Sequence, residues 1–313
     1  MERLEVLISG AGIAGCTLAY WLTRNGQSVT VVERSGSLRS SGSPVDVRGP
    51  AVDVAERMNI ATRLREASIR LKGMTLLDSS GRRVARVDIA ALRSSIVPKD
   101  MEIARGDLAR ILHEASANDA DYIFGDSIKA VTQNEMGVDV AFERSRPRCF
   151  DLVIGADGLH SIVRRLAFGA DSEFVQHAGL YAATITLPGS SDNEGEMFML
   201  NTPGKLAALH PCQGVPLAYF VFWHPEIPEF DYTDLNQHTF LRGPSPASAG
   251  EYRSSSMRYA WRVMCTSTPS PAWMSQSGQE GGSRYSVMPH LACRCSEMDR
   301  LLPLQARMSS QRR

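Results

Sequence analysis

The string GAGIAG, Gly10–Gly15, constrains this chain more than any other stretch of it. LEVLIS, Leu4 to Ser9, precedes it as a short apolar run, the pattern of a strand buried on both faces. TLAYWLTRNG follows with apolar residues at helical period and closes on Gly26, which predicts a C-cap there. SVTVVE, Ser28–Glu33, then reads as a second strand. In this setting each glycine has a task. Gly10 allows a tight turn, Gly12 lets the backbone approach a pyrophosphate, and Gly15 lets the helix pack on the strand. The helix start presents unpaired N–H groups to phosphates, and Glu33 ends its strand where a carboxylate can accept hydrogen bonds from a ribose diol. Strand, glycines, helix, strand and terminal acid together predict a dinucleotide-binding unit. They do not choose between NAD and FAD.

Composition narrows the partners. Lys and Arg number 34 and Asp and Glu 34, so charge gives no reason to expect nucleic acid or an anionic membrane. No run approaches the roughly 20 apolar residues of a membrane span. MERLEVLISGAG enters a strand at once, without the basic and apolar regions of an export signal, which predicts a cytoplasmic location. Six irregularly spaced cysteines then read as free thiols. There is no HExxH helix, CxxC pair or Ser–His–Asp order to support a zinc or hydrolase reading. Cys293 and Cys295 have only His290 as a near third ligand, so no metal site is expected.

DLVIGADGLHSIVRR, Asp151 to Arg165, is another buried strand running through ADG into an amphipathic helix. Here the chain resembles the class A FAD-dependent monooxygenases, the aromatic hydroxylase group that includes tetracycline-inactivating enzymes. Their GADGxxSxVR pattern is matched by Gly155, Ala156, Asp157, Gly158, Ser161, Val163 and Arg164. RGDLARIL is similar to the family's R-x-x-L-x-x-x-L helix, through Arg105, Leu108 and Leu112. The resemblance covers about residues 4 to 235 and implies FAD, with NADPH or NADH as co-substrate and a small aromatic molecule as substrate. It implies cofactor contacts at Gly10, Ala11, Gly12, Ile13, Ala14 and Gly15, at Glu33 with its neighbour Arg34, and at Arg105, Asp157 and Gly158. RSSGSPVDVRG resembles the segment that runs under the flavin ring, which would make Asp46 a flavin contact and Arg39 a residue near the NADPH site. No catalytic side chain is assigned. In this family the protein supplies position, electrostatics and exclusion of water.

The fold class expected is α/β, a Rossmann-like FAD-binding domain with a mostly antiparallel substrate sheet and an irregular C-terminal tail. The flavin part is expected over residues 1–70 and 100–172, the sheet layer over 71–99 and 173–235. LKGMTLLDSSGRRVARVDI holds two strand-like runs around a turn. GLYAATITLP, GEMFMLNTPGKLAALHP and GVPLAYFVFW supply further strands joined by Gly and Pro turns. Met197, Met199, Phe220, Phe222 and Trp223 are candidates for a substrate wall, although each taken singly reads first as ordinary core packing. His210 and His224 read either as acid–base groups or as structural histidines.

The family pattern fails in the tail. Its second flavin motif, GDAA, is missing, and from Gly243 onward there is no Ile, Phe, Lys or Asn. Residues 236–313 lack the apolar period of a packed element. The genetic code offers a reason. Read from the third base of each codon, Ser286-Val287-Met288-Pro289-His290 gives NGT, NAT, GCC and NCA, which permits Gly-Asp-Ala-Ala. In the same frame Trp273-Met274 forces Asp, and Met298-Asp299 forces Gly. These matches predict that the last quarter is out of frame.

Overall fold

The computed structural model describes residues 2–38, 43–78, 81–96, 99–186, 195–212, 216–223 and 285–289. The chain opens as β1 (Glu5–Ser9), α1 (Ile13–Arg24) and β2 (Ser28–Glu33). A short strand β3 (Val45–Val47) leads to α2 (Pro50–Arg57) and α3 (Ala61–Glu66). The hairpin β4 (Gly73–Leu77) and β5 (Arg83–Asp88) precedes α4 (Ile89–Ile96) and β6 (Met101–Ile103). Next come α5 (Arg105–Ser116), β7 (Asp121–Phe124) and the meander β8 (Ile128–Asn134), β9 (Gly137–Phe142) and β10 (Arg148–Phe150). β11 (Leu152–Gly155), α6 (Ile162–Ala167) and α7 (Asp171–Phe174) complete the first half. The second half is β12 (Leu180–Thr186), β13 (Glu196–Thr202), β14 (Lys205–His210) and β15 (Leu217–Trp223), with a last strand β16 (Tyr285–Pro289).

β11, β1, β2 and β7 form a parallel sheet in that order. Strand alternation explains why β1 and β2 read as continuous apolar runs. Val6, Ile8, Val29 and Val31 face a core shared with Cys16 and Ala19 of α1 and Leu108 and Ile111 of α5. Leu7 and Val32 face the other way, onto Ile128, Phe142 and Phe150 of the meander and Val163 of α6. Both faces are covered, as a parallel sheet requires. The meander was not foreseen. β8 has one buried residue, Ile128, and its mostly exposed remainder carries little strand signal.

The second layer is a seven-stranded sheet in the order β16-β12-β15-β14-β13-β4-β5. Its pairs are antiparallel except β13 with β4, which agrees with the mostly antiparallel sheet expected. β3 and β6 form a separate antiparallel ribbon in which Asp46 stands opposite Glu102. In the stretch expected to be irregular, β16 lies antiparallel along β12 and forms the edge of the sheet. The rest of 236–313 lies outside the described residues.

Candidate cofactor cleft

A cleft of about 670 Å3 opens at the carboxyl ends of β1 and β2, the place where parallel sheets take ligands, and its size suits a small-molecule site. Gly10 leaves β1 at φ 104° and donates its N–H to the Val32 carbonyl at 2.7 Å, which ties the turn to β2. A Cβ on Gly15 would lie 1.8 Å from the Gly10 carbonyl oxygen, so only glycine lets α1 start this close to β1. Gly12 has nothing within 4 Å of the place of a Cβ, and its backbone is open to a ligand. Gly10, Ala11, Gly12, Ile13 and Ala14 all line the cleft, while Gly15 shapes it from behind.

Glu33 also lines the cleft, and its position is fixed by backbone. One carboxylate oxygen accepts from the Ala11 N–H at 2.9 Å and the other from the Ser35 N–H at 2.9 Å. Each oxygen keeps lone pairs for a diol. Arg34 and Arg105 bring positive charge to the same space, Arg105 as the first residue of α5. Asp157 and Gly158 lie on the wall. The Asp157 carboxylate works inward. It accepts from the Ser9 hydroxyl at 3.1 Å, the Ser161 hydroxyl at 2.5 Å and the Ile162 N–H at 2.8 Å. It therefore joins β1 to the start of α6 and holds the wall in shape.

One implied contact lies outside this cleft. Asp46 is not among the residues lining this cleft; it sits on β3, where it pairs with Arg48 at 2.9 Å. Arg39 and His224 lie outside the described residues.

Some lining residues carried no sequence signal. Asp126 accepts from the N–H groups of Ser127 at 2.8 Å, Arg144 at 3.0 Å and Ser145 at 2.8 Å, which knits the loop after β7 to the end of β9. His160 occupies a variable place inside the GADGxxSxVR pattern and so drew no attention. Burial, and then the charge of Arg34, holds its imidazolium below the usual histidine range.

Strand register sorts the five proposed wall residues onto two faces. Met199 stands opposite Ala208, and Ala208 opposite Tyr219, so Met197, Met199, Tyr219 and Trp223 share one face with His210. Phe220 and Phe222 are on the other, where Phe222 stacks on Tyr181 with ring centroids 5.8 Å apart. The five cannot form one wall. The His210 ring meets Glu102 of β6 at 2.9 Å, so its face is the one turned to the flavin half. Trp223 is 68% exposed at the strand end, which leaves Met197, Met199 and Tyr219 as the candidates on that face. Tyr219 was missed because face assignment needs the register.

The parallel sheet, glycine turn and terminal acid define a dinucleotide-binding fold, and the donor set fits FAD. An open backbone at Gly12 and a helix start suit the pyrophosphate, Glu33 suits the ribose, and two arginines suit the anionic charge. Residues 3–235 match the family model described as FAD binding domain, and the chain belongs to that family. It is 44% identical over 184 residues to an uncharacterized protein of Mycobacterium tuberculosis, covering 58% of this chain and 50% of that one. A flavin-dependent monooxygenase of Legionella longbeachae is 36% identical over 187 residues, covering 60% of this chain and 48% of that one. The crystal structure of tetracycline destructase Tet(51) is similar at TM-score 0.68 and 30% identity, covering 77% of this chain and 62% of that one. The chain thus spans about half the length of the curated relatives it matches.

Proposed function

We propose that this chain is the cofactor-binding and substrate-wall portion of an FAD-dependent monooxygenase that hydroxylates an aromatic or polyketide-like small molecule with NAD(P)H and dioxygen. The observation that carries the reading is the cleft itself: the Gly10–Ala14 turn, Glu33 and Arg105 converge at the carboxyl ends of a parallel sheet, and a second sheet turns a face toward that half. Bound FAD would supply the hydride acceptance and oxygen activation. The chain's own residues bind and orient. The turn and the α1 start hold phosphate charge, Glu33 holds the ribose, and Arg105 places a cation beside the cofactor. Met197, Met199 and Tyr219 present an apolar surface with one hydroxyl, which suits a flat ring and helps exclude water. The monooxygenase names of relatives and the likeness to a tetracycline destructase support this substrate class. NADPH oxidation tested with phenolic and polyketide substrates checks it. Hydroxylated product is expected, and stoichiometric hydrogen peroxide with every substrate would favour a non-oxygenating flavoenzyme.

A second reading concerns the state of this chain. The family match ends at residue 235, beside the point where the composition changes, and the alternative frame permits GDAA further on, over Ser286 to His290. On this reading the protein lacks one side of its flavin site and purifies nearly colourless. Shifting the frame near residues 238–247 should restore a yellow, FAD-bound protein. Stoichiometric FAD on the unaltered chain would show the tail to be a working replacement.

A further inference from the structure

His210 ends β14 and is 6% exposed. Its Nε2 lies 2.9 Å from Glu102 Oε1, and its Nδ1 lies 3.8 Å from the Cys212 sulfur. Glu102 is the middle residue of β6, which passes through Ala104 directly into Arg105 and α5. Asp46 stands opposite Glu102 in the ribbon. Burial, then the charges of Glu102 and Asp107, push the Cys212 thiol up to about 12. His210 therefore brings an imidazole into an acidic neighbourhood at the meeting of the two layers. Apolar packing alone tolerates small slides between layers, whereas a hydrogen bond between a buried imidazole and a partly buried carboxylate fixes a distance.

We propose that His210 is a positioning residue that, through Glu102, fixes the wall sheet against the β6–α5 junction. Met197, Met199 and Tyr219 on one side and Arg105 on the other then keep a single spacing. Arg105 lines the cleft and His210 does not, so the pair carries the state of the wall sheet to the cofactor site. The meaning of that spacing rests on the flavin-enzyme reading above; the joint itself does not.

Hydrogen exchange on the full chain tests the joint without FAD. His210→Ala should speed exchange about tenfold in residues 101–108 and 205–212 while β1 and β2 stay as protected as before. His210→Gln keeps an N–H within reach of Glu102 and should recover most of that protection. Glu102→Gln combined with His210→Ala should add little to His210→Ala alone, because both remove one interaction. In parallel, quenching of flavin fluorescence should show FAD binding about tenfold weaker in His210→Ala and restored in His210→Gln. Unchanged exchange in His210→Ala would overturn the proposal. So would exchange that rises equally in β1 and β2, or a failure of His210→Gln to rescue. Local exchange changes without FAD binding by any variant, the parent and its frame-shifted form included, would leave the joint standing and sink the flavin reading.

Discussion

Replacing Glu33 by alanine separates the two jobs the structure gives that carboxylate. Read from sequence, Glu33 is an acid placed to touch ribose. In the structure it also holds the Ala11 and Ser35 N–H groups, each at 2.9 Å. Ser35 is at the surface, where water can replace the lost acceptor. Ala11 is 4% exposed, so its N–H would be left without an acceptor in the glycine turn. An orphaned buried donor costs about 1–3 kcal/mol. At about 2–4 °C per kcal/mol for a domain of this size, Tm should fall by several degrees. The ribose contact adds to this only when FAD is present. Loss of a hydrogen bond to a charged group, about 1.5–3 kcal/mol, should weaken FAD by roughly tenfold to 150-fold. Calorimetry of this chain without FAD and fluorescence titration of its frame-shifted form with FAD measure the two effects separately. Glu33→Gln keeps one acceptor oxygen and should fall between parent and Glu33→Ala in both assays. A Glu33→Ala protein with the parental Tm would show that the Ala11 bond carries no stability. Parental FAD affinity would remove Glu33 from the site.

Gly15→Ala places a methyl group 1.8 Å from the Gly10 carbonyl oxygen, so the variant should lose FAD binding and melt well below the parent; a parental melt would refute the packing role. For Asp126, burial alone would raise its pKa, but the bonds from the Ser145 hydroxyl and the Ser127, Ser145 and Arg144 N–H groups outweigh it and lower it. The stability this contributes is present above the unfolded carboxylate value of about 3.9 and is lost as pH falls through the lower folded value. The Tm gap between parent and Asp126→Asn, clear at pH 7, should therefore shrink below about pH 4. Among the described free cysteines, Cys149 is exposed, whereas burial pushes Cys16 up to about 11 and Cys212 up to about 12. Iodoacetamide at about pH 8 should thus modify Cys149 well before the other two, as peptide mass spectrometry would show.

The front of the cleft was legible because its determinants are local. β2 occupies Ser28–Glu33 as the apolar run indicated, and the glycine spacing dictates the turn whatever the rest of the chain does. The GADG strand and the Arg105 helix were legible for the same reason. What sequence could not supply depends on contacts between distant segments. The wall faces follow from register, so Phe220 and Tyr219, adjacent in the chain, part company only once β14 and β15 are aligned. The His210–Glu102 pair joins residues 108 apart, and neither has a motif around it. Asp126 acts on backbone N–H groups of another strand end, a role that a short polar side chain in a loop does not announce.

The parallel pairing of β4 with β13 has a consequence for how the protein is made. β4 and β5 leave the ribosome as an isolated hairpin, and the neighbour of β4 emerges only after residues 78–195 have been synthesised. Chains grow at about 5–20 residues per second, so GMTLL waits several seconds with one edge of unpaired N–H and C=O groups. The outer strand is protected by Arg83, Arg86 and Asp88, charges that discourage strand addition. The inner edge has no such guard. Nascent chains that stop before Glu196 should therefore depend on a chaperone at that hairpin, and the flavin half, whose β1, β2, β7 and β11 are complete by Gly155, should fold ahead of the wall it serves.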